Sequence, residues 1–384
     1  MKTILFLIGI TSFAYGRAQN TSISDPNFEQ VLVENGLDDV LDGTVLTANI
    51  DTVTSLWVVS MSINNLSGIE DFIMLKSLFC SQNQLTNLNV SQNPALEQLL
   101  CSSNLITNLN LTQNINLKYL HCDYNSLQSL DLSQNTELIV VKCESNNLTS
   151  IDISHCVNLV NLDCGANSLT SIDVSQNNVL RWLNCGTNQI TSLNVSQNSL
   201  LENLVCHYNP IGNLNVTSNL LLNHLDCDSN NLTNLNVSQN IYLELLYCMD
   251  NQITELDVSS NHFLKRLACY NNQLTCLNIK NGNNTQMDYC GVFNNSNLFC
   301  IEVDDPIWSS THWTTANDQI DSQMNFSSYC GNGCTTSLTE LSIESKKLIK
   351  IVDLLGREIE HSTNTPMIYL FSDGSTKKVF EFNN

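Results

Sequence analysis

Hydrophobic and polar positions along this chain fall into a frame that returns every 21 residues. With Cys101 set as zero, Leu96 and Leu99 stand at −5 and −2, and Ile106, Leu109, Leu111 and Leu117 at +5, +8, +10 and +16. Asn104 holds +3. The frame repeats around Cys80, Cys122, Cys143, Cys164, Cys185, Cys206, Cys227, Cys248 and Cys269, and the cysteine spacing continues to Cys290. A fixed period of this length marks a solenoid, in which each coil buries its apolar face only against its neighbours. The alternation Leu99-Leu100-Cys101 predicts a short strand with Leu99 and Cys101 facing inward. Asn104 then turns a corner, where its amide can satisfy backbone groups of adjacent coils. Leu109-Asn-Leu111-Thr-Gln-Asn114 repeats the arrangement, so each coil has two extended edges, two Asn corners and little room for a helix. The predicted fold is a β-rich solenoid with a parallel sheet, its repeats proper spanning residues 75–290.

Both ends of the frame change character. Asp25-Pro26, then Phe28, Val31, Leu32 and Gly36, predict a short amphipathic helix capped by Asp25, within an N-terminal cap and atypical first coil over 19–74. Asp38 to Gly43 resembles a calcium loop only faintly, since Val40 and Asn49 stand where ligands belong. After Cys290 the frame fails. Residues 291–334 predict a C-terminal cap, with a last strand near Asn297–Asp305 and Trp308, Trp313 and Phe326 as a lid. Cys300 and Cys330 lie outside the ladder, and a disulfide between them would staple this cap, with Cys334 as a competitor. Cys156 replaces a ladder Asn and Cys276 takes an outward position, neither with an obvious partner. Beyond Gly331-Asn-Gly333 the composition shifts: residues 335–384 hold six of the chain's fifteen bases and no Cys. Leu348–Val352, Met367–Phe371 and Lys378–Phe382 predict a small antiparallel β domain, with Asp373-Gly374 as a hairpin turn.

The internal repeats distinguish the two edges. Outward positions of the L-N/D-V-S edge barely vary, from Asn89 and Asn110 to Asp257 and Asn278. A uniform row suits structure, because small polar side chains can hydrogen-bond between coils. Outward positions beside the cysteines vary widely. They supply the candidate ligand-binding residues Tyr119, His121, Asp123, Lys142, Glu144, Trp182, His207, Tyr208, His224, Asp226, Tyr247 and Arg266. A varied row rich in Tyr, Trp and His suits recognition, since such residues carry most interface energy.

Composition adds compartment and partner class. Hydrophobic residues make up 42% of the chain, enough for a sizeable core, and only 14% are charged. The balance is 37 acids against 15 bases, a net charge of −22. Sixteen acids but only six bases fall within residues 80–290, so a phosphate backbone would be repelled and no nucleic-acid partner is expected. Residues 1–18 resemble a secretory signal peptide: Lys2, an apolar run from Ile4 to Ala14, and Gly16-Arg17-Ala18 as cleavage site. No later stretch is long enough for a membrane span. In an exported chain, 16 cysteines normally imply a disulfide framework. The register of the eleven ladder cysteines instead predicts free, buried thiols packed as small hydrophobes.

Two resemblances follow from these residues. L-x-x-L-x-C-x-x-N-x-L, read at Leu96–Ile106, is the leucine-rich repeat pattern with Cys in its third apolar slot. With L-x-V-S-x-N it is similar to exported leucine-rich repeat proteins of Bacteroidetes and to internalin-like solenoids. The tail, with Lys350-Ile-Val-Asp-Leu-Leu-Gly-Arg-Glu358 and Pro366-Met-Ile-Tyr-Leu-Phe-Ser-Asp-Gly374, resembles the C-terminal sorting domain of the type IX secretion system. That resemblance implies contact with the secretion machinery, removal of residues 335–384, and a mature protein secreted by, or held on the outer surface of, a Gram-negative bacterium.

No G-x-S-x-G, H-E-x-x-H or P-loop pattern occurs, so an enzyme is not expected, nor a cofactor or metal. His121 with Asp123, and His224 with Asp226, read as polar contact patches rather than catalytic dyads. The expected function is adhesion or interaction: a monomer binding a protein or glycan ligand on a cell surface through the varied sheet. The alternative is a structural or ice-binding solenoid using the uniform Asn/Asp/Ser/Thr edge.

Overall fold

The computed structural model describes residues 19–317, 319–331, 348–352, 357, 359, 367–371 and 376–379. The signal segment 1–18, Cys334 and the Asp373-Gly374 turn lie outside them. The chain divides into two compact units, Met1–Cys334 and Thr335–Asn384.

The first unit is a parallel-sheet β-solenoid. Its main sheet has twelve strands, from Ser55–Trp57 to Tyr289–Gly291, one more than the cysteines count, because the atypical first coil also contributes. Strands pair in register: Leu204 lies beside Leu225, Leu225 beside Leu246, and Leu246 beside Leu267. These leucines and the cysteines two positions on are fully buried, since one face of each three-residue strand points into the stack. Adjacent parallel strands are about 4.8 Å apart, a Cα spacing a disulfide can accept. All eleven ladder cysteines are nevertheless free.

Two Asn ladders hold the corners. Asn104 Nδ2 donates to the carbonyls of Cys80 and Cys101, each at 3.0 Å, while its Oδ1 accepts from the Leu85 amide at 3.0 Å. At the second corner Asn114 Nδ2 donates to Val90 O (3.0 Å) and Asn93 O (2.9 Å). Cys156 occupies this second corner in its coil, its thiol 3.8 Å from Asn135 O. A third regularity carries no glycine signal. The residue two after each cysteine, from Gln82 through Tyr124 and Tyr208 to Asn271, is left-handed, with φ between 48° and 57°. Amide-to-carbonyl bonds between coils, such as Ser103 N to Asp123 O at 2.9 Å, hold it there.

The second edge is extended but pairs only in places, at Leu193–Asn194 with Leu214–Asn215 and in a four-stranded sheet near the C-terminal end. Its uniform Asn/Asp row does not bond between coils as expected. Each side chain instead accepts from the amide two residues on within its own coil, as in Ser91 N to Asn89 Oδ1 (3.1 Å) and Ser175 N to Asp173 Oδ1 (2.9 Å). These are Asx turns, which explains why only Asn and Asp occupy the row.

Carboxylates close both ends. The helix Pro26–Glu34 starts at Asp25, whose Oδ1 accepts from the amides of Asn27 and Phe28. Asp25 Oδ2 accepts from Asn64 N (2.7 Å) and Asn65 N (3.1 Å), tying the helix to the first coil. Phe28 and Leu32 are fully buried beneath it. At the other end Asp321 accepts from Asn294 N and Asn295 N, both at 3.0 Å. The helix Pro306–His312 starts at Asp305, Trp313 is buried, and Trp308 and Phe326 pack on the core. The strand expected near Asn297–Asp305 is confined to Cys300–Glu302 in the second-edge sheet, and a further strand, Asn325–Ser327, pairs beside it as the outermost one. Cys300 and Cys330 form a disulfide with S–S 2.05 Å, and Cys276 is also disulfide-bonded.

The second unit contains a three-stranded antiparallel sheet of Leu348–Val352, Met367–Phe371 and Thr376–Val379. Ile351 and Lys377 both pair with Tyr369. The final strand begins two residues earlier than the sequence pattern placed it.

Candidate ligand-binding surface

The outward residues of the twelve-stranded sheet form three rows, because side chains one and three positions from each cysteine point to the solvent face. Tyr119, Trp182, His224 and Arg266 fall on the row three before the cysteine. His121, Lys142, Asp226 and Tyr247 fall on the row directly before it. Asp123, Glu144 and His207 stand directly after the cysteine, and Tyr208 one further on, in the left-handed position. The sheet therefore brings all twelve candidates to one face, spread along its length rather than gathered at one point. Tyr208 exposes 60% of its surface.

The centre of the face has a floor without side chains. Gly165 and Gly186 occupy the position after the cysteine in successive coils, and neighbouring side chains lie over them. A Cβ on Gly186 would come within 2.7 Å of His207 Cδ2, and one on Gly165 within 3.0 Å of Asn184 Nδ2. Asn184 Nδ2 also donates to Asp163 Oδ1 at 3.0 Å. Burial, with Glu144 nearby, pushes Asp163 up to about 6. Asp163 and the two glycines were not among the sequence candidates. The glycines were visible in that column of the repeat, which otherwise holds glycine only at Gly291, but nothing in the pattern said which side chains would cover them.

Histidine pairing differs from the same-strand contacts read from the sequence. His207 Nδ1 lies 3.0 Å from Asp226 Oδ2 in the next coil. This hydrogen bond raises the His207 pKa against the opposing effect of burial. His224 does not hydrogen-bond Asp226; its Nε2 is buried without a partner, and burial lowers its pKa. His121 is likewise lowered, by burial and then by Lys142. Toward the C-terminal end Tyr270 stacks on Phe293 with ring centroids 4.4 Å apart, and His224 meets Tyr247 edge-on at 5.8 Å. A second exposed patch lies off the sheet. Leu221, Tyr242 and Phe263, each six residues before a cysteine, line a cavity of about 400 Å³ with Glu202, Asn223 and Glu244.

The cysteine ladder decides the relationship. The functional domain of InlJ from Listeria monocytogenes, which includes a cysteine ladder, is similar to this chain at 37% identity and a TM-score of 0.67. The match covers 74% of this chain and 68% of that one. This chain belongs to the internalin-type leucine-rich repeat proteins. A second internalin, inlF from Listeria monocytogenes, matches at 19% identity and TM-score 0.61 over 81% of this chain and 96% of its own, and shares the internalin fold. The plant peptide hormone receptor RGFR1 in complex with RGF2 matches at 18% identity and TM-score 0.51, over 62% of this chain and 45% of its own. No family model matches the sequence, and no curated protein does. Among the described residues of this internalin-type protein, no helix is long and apolar enough to cross a membrane.

Proposed function

We propose that this internalin-type protein is a secreted or cell-surface adhesion protein that binds a protein or glycan ligand with the varied face of its twelve-stranded sheet, without catalysis. One observation carries the reading. The second edge is constant because every coil needs an Asx turn there, whereas the sheet face has no such constraint and carries Tyr, Trp, His and charged residues. Twelve strands at about 4.8 Å spacing extend roughly 50 Å, sufficient for a standard protein interface. The structural neighbour RGFR1, a plant peptide hormone receptor in complex with RGF2, is a protein of similar fold with a bound partner, which agrees with the reading. The constancy of the opposite edge is explained by its turns, so an ice-binding role gains no support.

Export belongs to the same proposal. Residues 1–18 act as a signal peptide and 335–384 as a type IX sorting tail, leaving a monomeric solenoid on or released from a Gram-negative surface. The test is a triple variant, Trp182→Ala, Tyr208→Ala and Tyr247→Ala, compared with wild type for binding to immobilised cell-surface proteins and glycans. Loss of binding with unchanged circular dichroism is expected. Equal binding by the folded variant rules out the sheet face as the recognition surface.

A further inference from the structure

The coil around Cys227 is the only one in the ladder with carboxylates on both sides of its cysteine, Asp226 and Asp228. Strand periodicity points both outward, and the preceding coil lays His207 between them. His207 Nδ1 is 3.0 Å from Asp226 Oδ2 and 3.8 Å from Asp228 Oδ1, and the three ligand atoms lie within 4.8 Å of one another. We propose that His207, Asp226 and Asp228 form a binding site for a divalent transition cation, zinc fitting best, with its fourth position open to the sheet face.

Geometry supports this first. Zinc bonds of about 2.0–2.2 Å in a tetrahedral site place ligand atoms about 3.3 Å apart, between the two distances present. The donors are also held in place. The imidazole rests on Gly186, where a Cβ would collide with it, and Ser229 Oγ donates to Asp228 Oδ2 at 2.9 Å.

Charge and burial supply a separate reason. The Asp228 side chain is only 6% exposed, and its Oδ1 takes no hydrogen bond from any described N–H or alcohol O–H. Among the described residues no Lys or Arg forms an ion pair with either carboxylate, and His207 is their only ion-pair partner. Two carboxylates this close share too little positive charge, and a divalent ion supplies it while displacing protons. One imidazole nitrogen with two carboxylate oxygens suits zinc or a neighbouring transition ion; calcium takes six to eight oxygen ligands.

The experiment uses the full folded chain, stripped with chelator and titrated with Zn²⁺ and Co²⁺ at neutral pH. One equivalent of Zn²⁺ is expected, and the Co²⁺ adduct should show visible d–d bands without the ultraviolet thiolate charge-transfer band. His207→Ala and Asp228→Asn should each weaken binding by about 100-fold or more, since even outer-shell losses cost 10–100-fold. His155→Ala, on the opposite edge, should bind as wild type. His207 is partly exposed, so its variant stays folded and decides the matter even if Asp228→Asn does not. Binding below half an equivalent, a thiolate band, or unchanged affinity in His207→Ala overturns the site.

Discussion

Under native conditions the ladder thiols should be chemically silent, and the structure sets the scale. Burial pushes Cys101, Cys185 and Cys248 up to about 12, and the other ladder thiols are raised for the same reason. At about pH 8 a thiol of pKa 12 is ionised about one part in 10⁴, against roughly a quarter for an ordinary cysteine. Reaction in place is therefore slowed by about three orders of magnitude before steric exclusion is counted. What remains must pass through local opening, and in a solenoid each coil is held only by its neighbours. Coils next to an end should open at lower cost than Cys185 in the middle. The assay is Ellman's reagent on native and guanidinium-unfolded protein, with peptide mass spectrometry after timed alkylation. Native protein should release less than one equivalent in a period that titrates all twelve described free thiols once unfolded. Cys185 should be among the last to react. Several ladder thiols reacting natively at small-molecule rates would refute the packing account.

Two further outcomes test the corners and the sheet face. Asn198 Nδ2 donates to Val174 O and Asn177 O, so Asn198→Ala should cost about 1–3 kcal/mol in urea unfolding, from two hydrogen bonds. Asn198→Asp should cost more, because it turns a carboxylate toward both carbonyls; equal costs would contradict the ladder geometry. Asp163 is raised from 3.8 to about 6 by burial, so the native state binds its proton more tightly than the unfolded chain. Its contribution is then lost as pH rises from about 4 to about 6, up to about 3 kcal/mol. Asp163→Asn should abolish that slope and melt higher at neutral pH, as thermal unfolding at about pH 4.5 and pH 7 would reveal. A lower melting temperature for the variant at both values would contradict it.

The frame around Cys101 was legible because burial selects size and polarity at every inward position, and repetition removes ambiguity. The helix start at Asp25-Pro26 and the aromatic lid could be read for similar reasons, since capping and apolar cover need particular residue types. The left-handed residue after each strand could not be read. Ser103, Tyr124 and Ala166 show no common preference for that conformation, which is imposed by hydrogen bonds from the next coil. The pairing of His207 with Asp226 was hidden for a related reason. Two coils contribute one residue each, and the rotamer that joins them depends on Gly186 beneath the ring. Asx turns escaped notice because a uniform Asn/Asp row is equally compatible with bonds within or between coils.

The carboxylates at the two ends have a consequence for size. Asp25 and Asp321 satisfy amides that another coil would otherwise bond, so nothing between them records how many coils there should be. Insertion or deletion of whole 21-residue segments between Cys101 and Cys269 leaves both termini of the stack intact. Length is thus an adjustable property of this architecture, and the reach of the sheet face can be changed about 4.8 Å at a time without redesigning its ends. A chain cut before Asp321 would instead carry unpaired amides at an open edge and should add to other chains end to end.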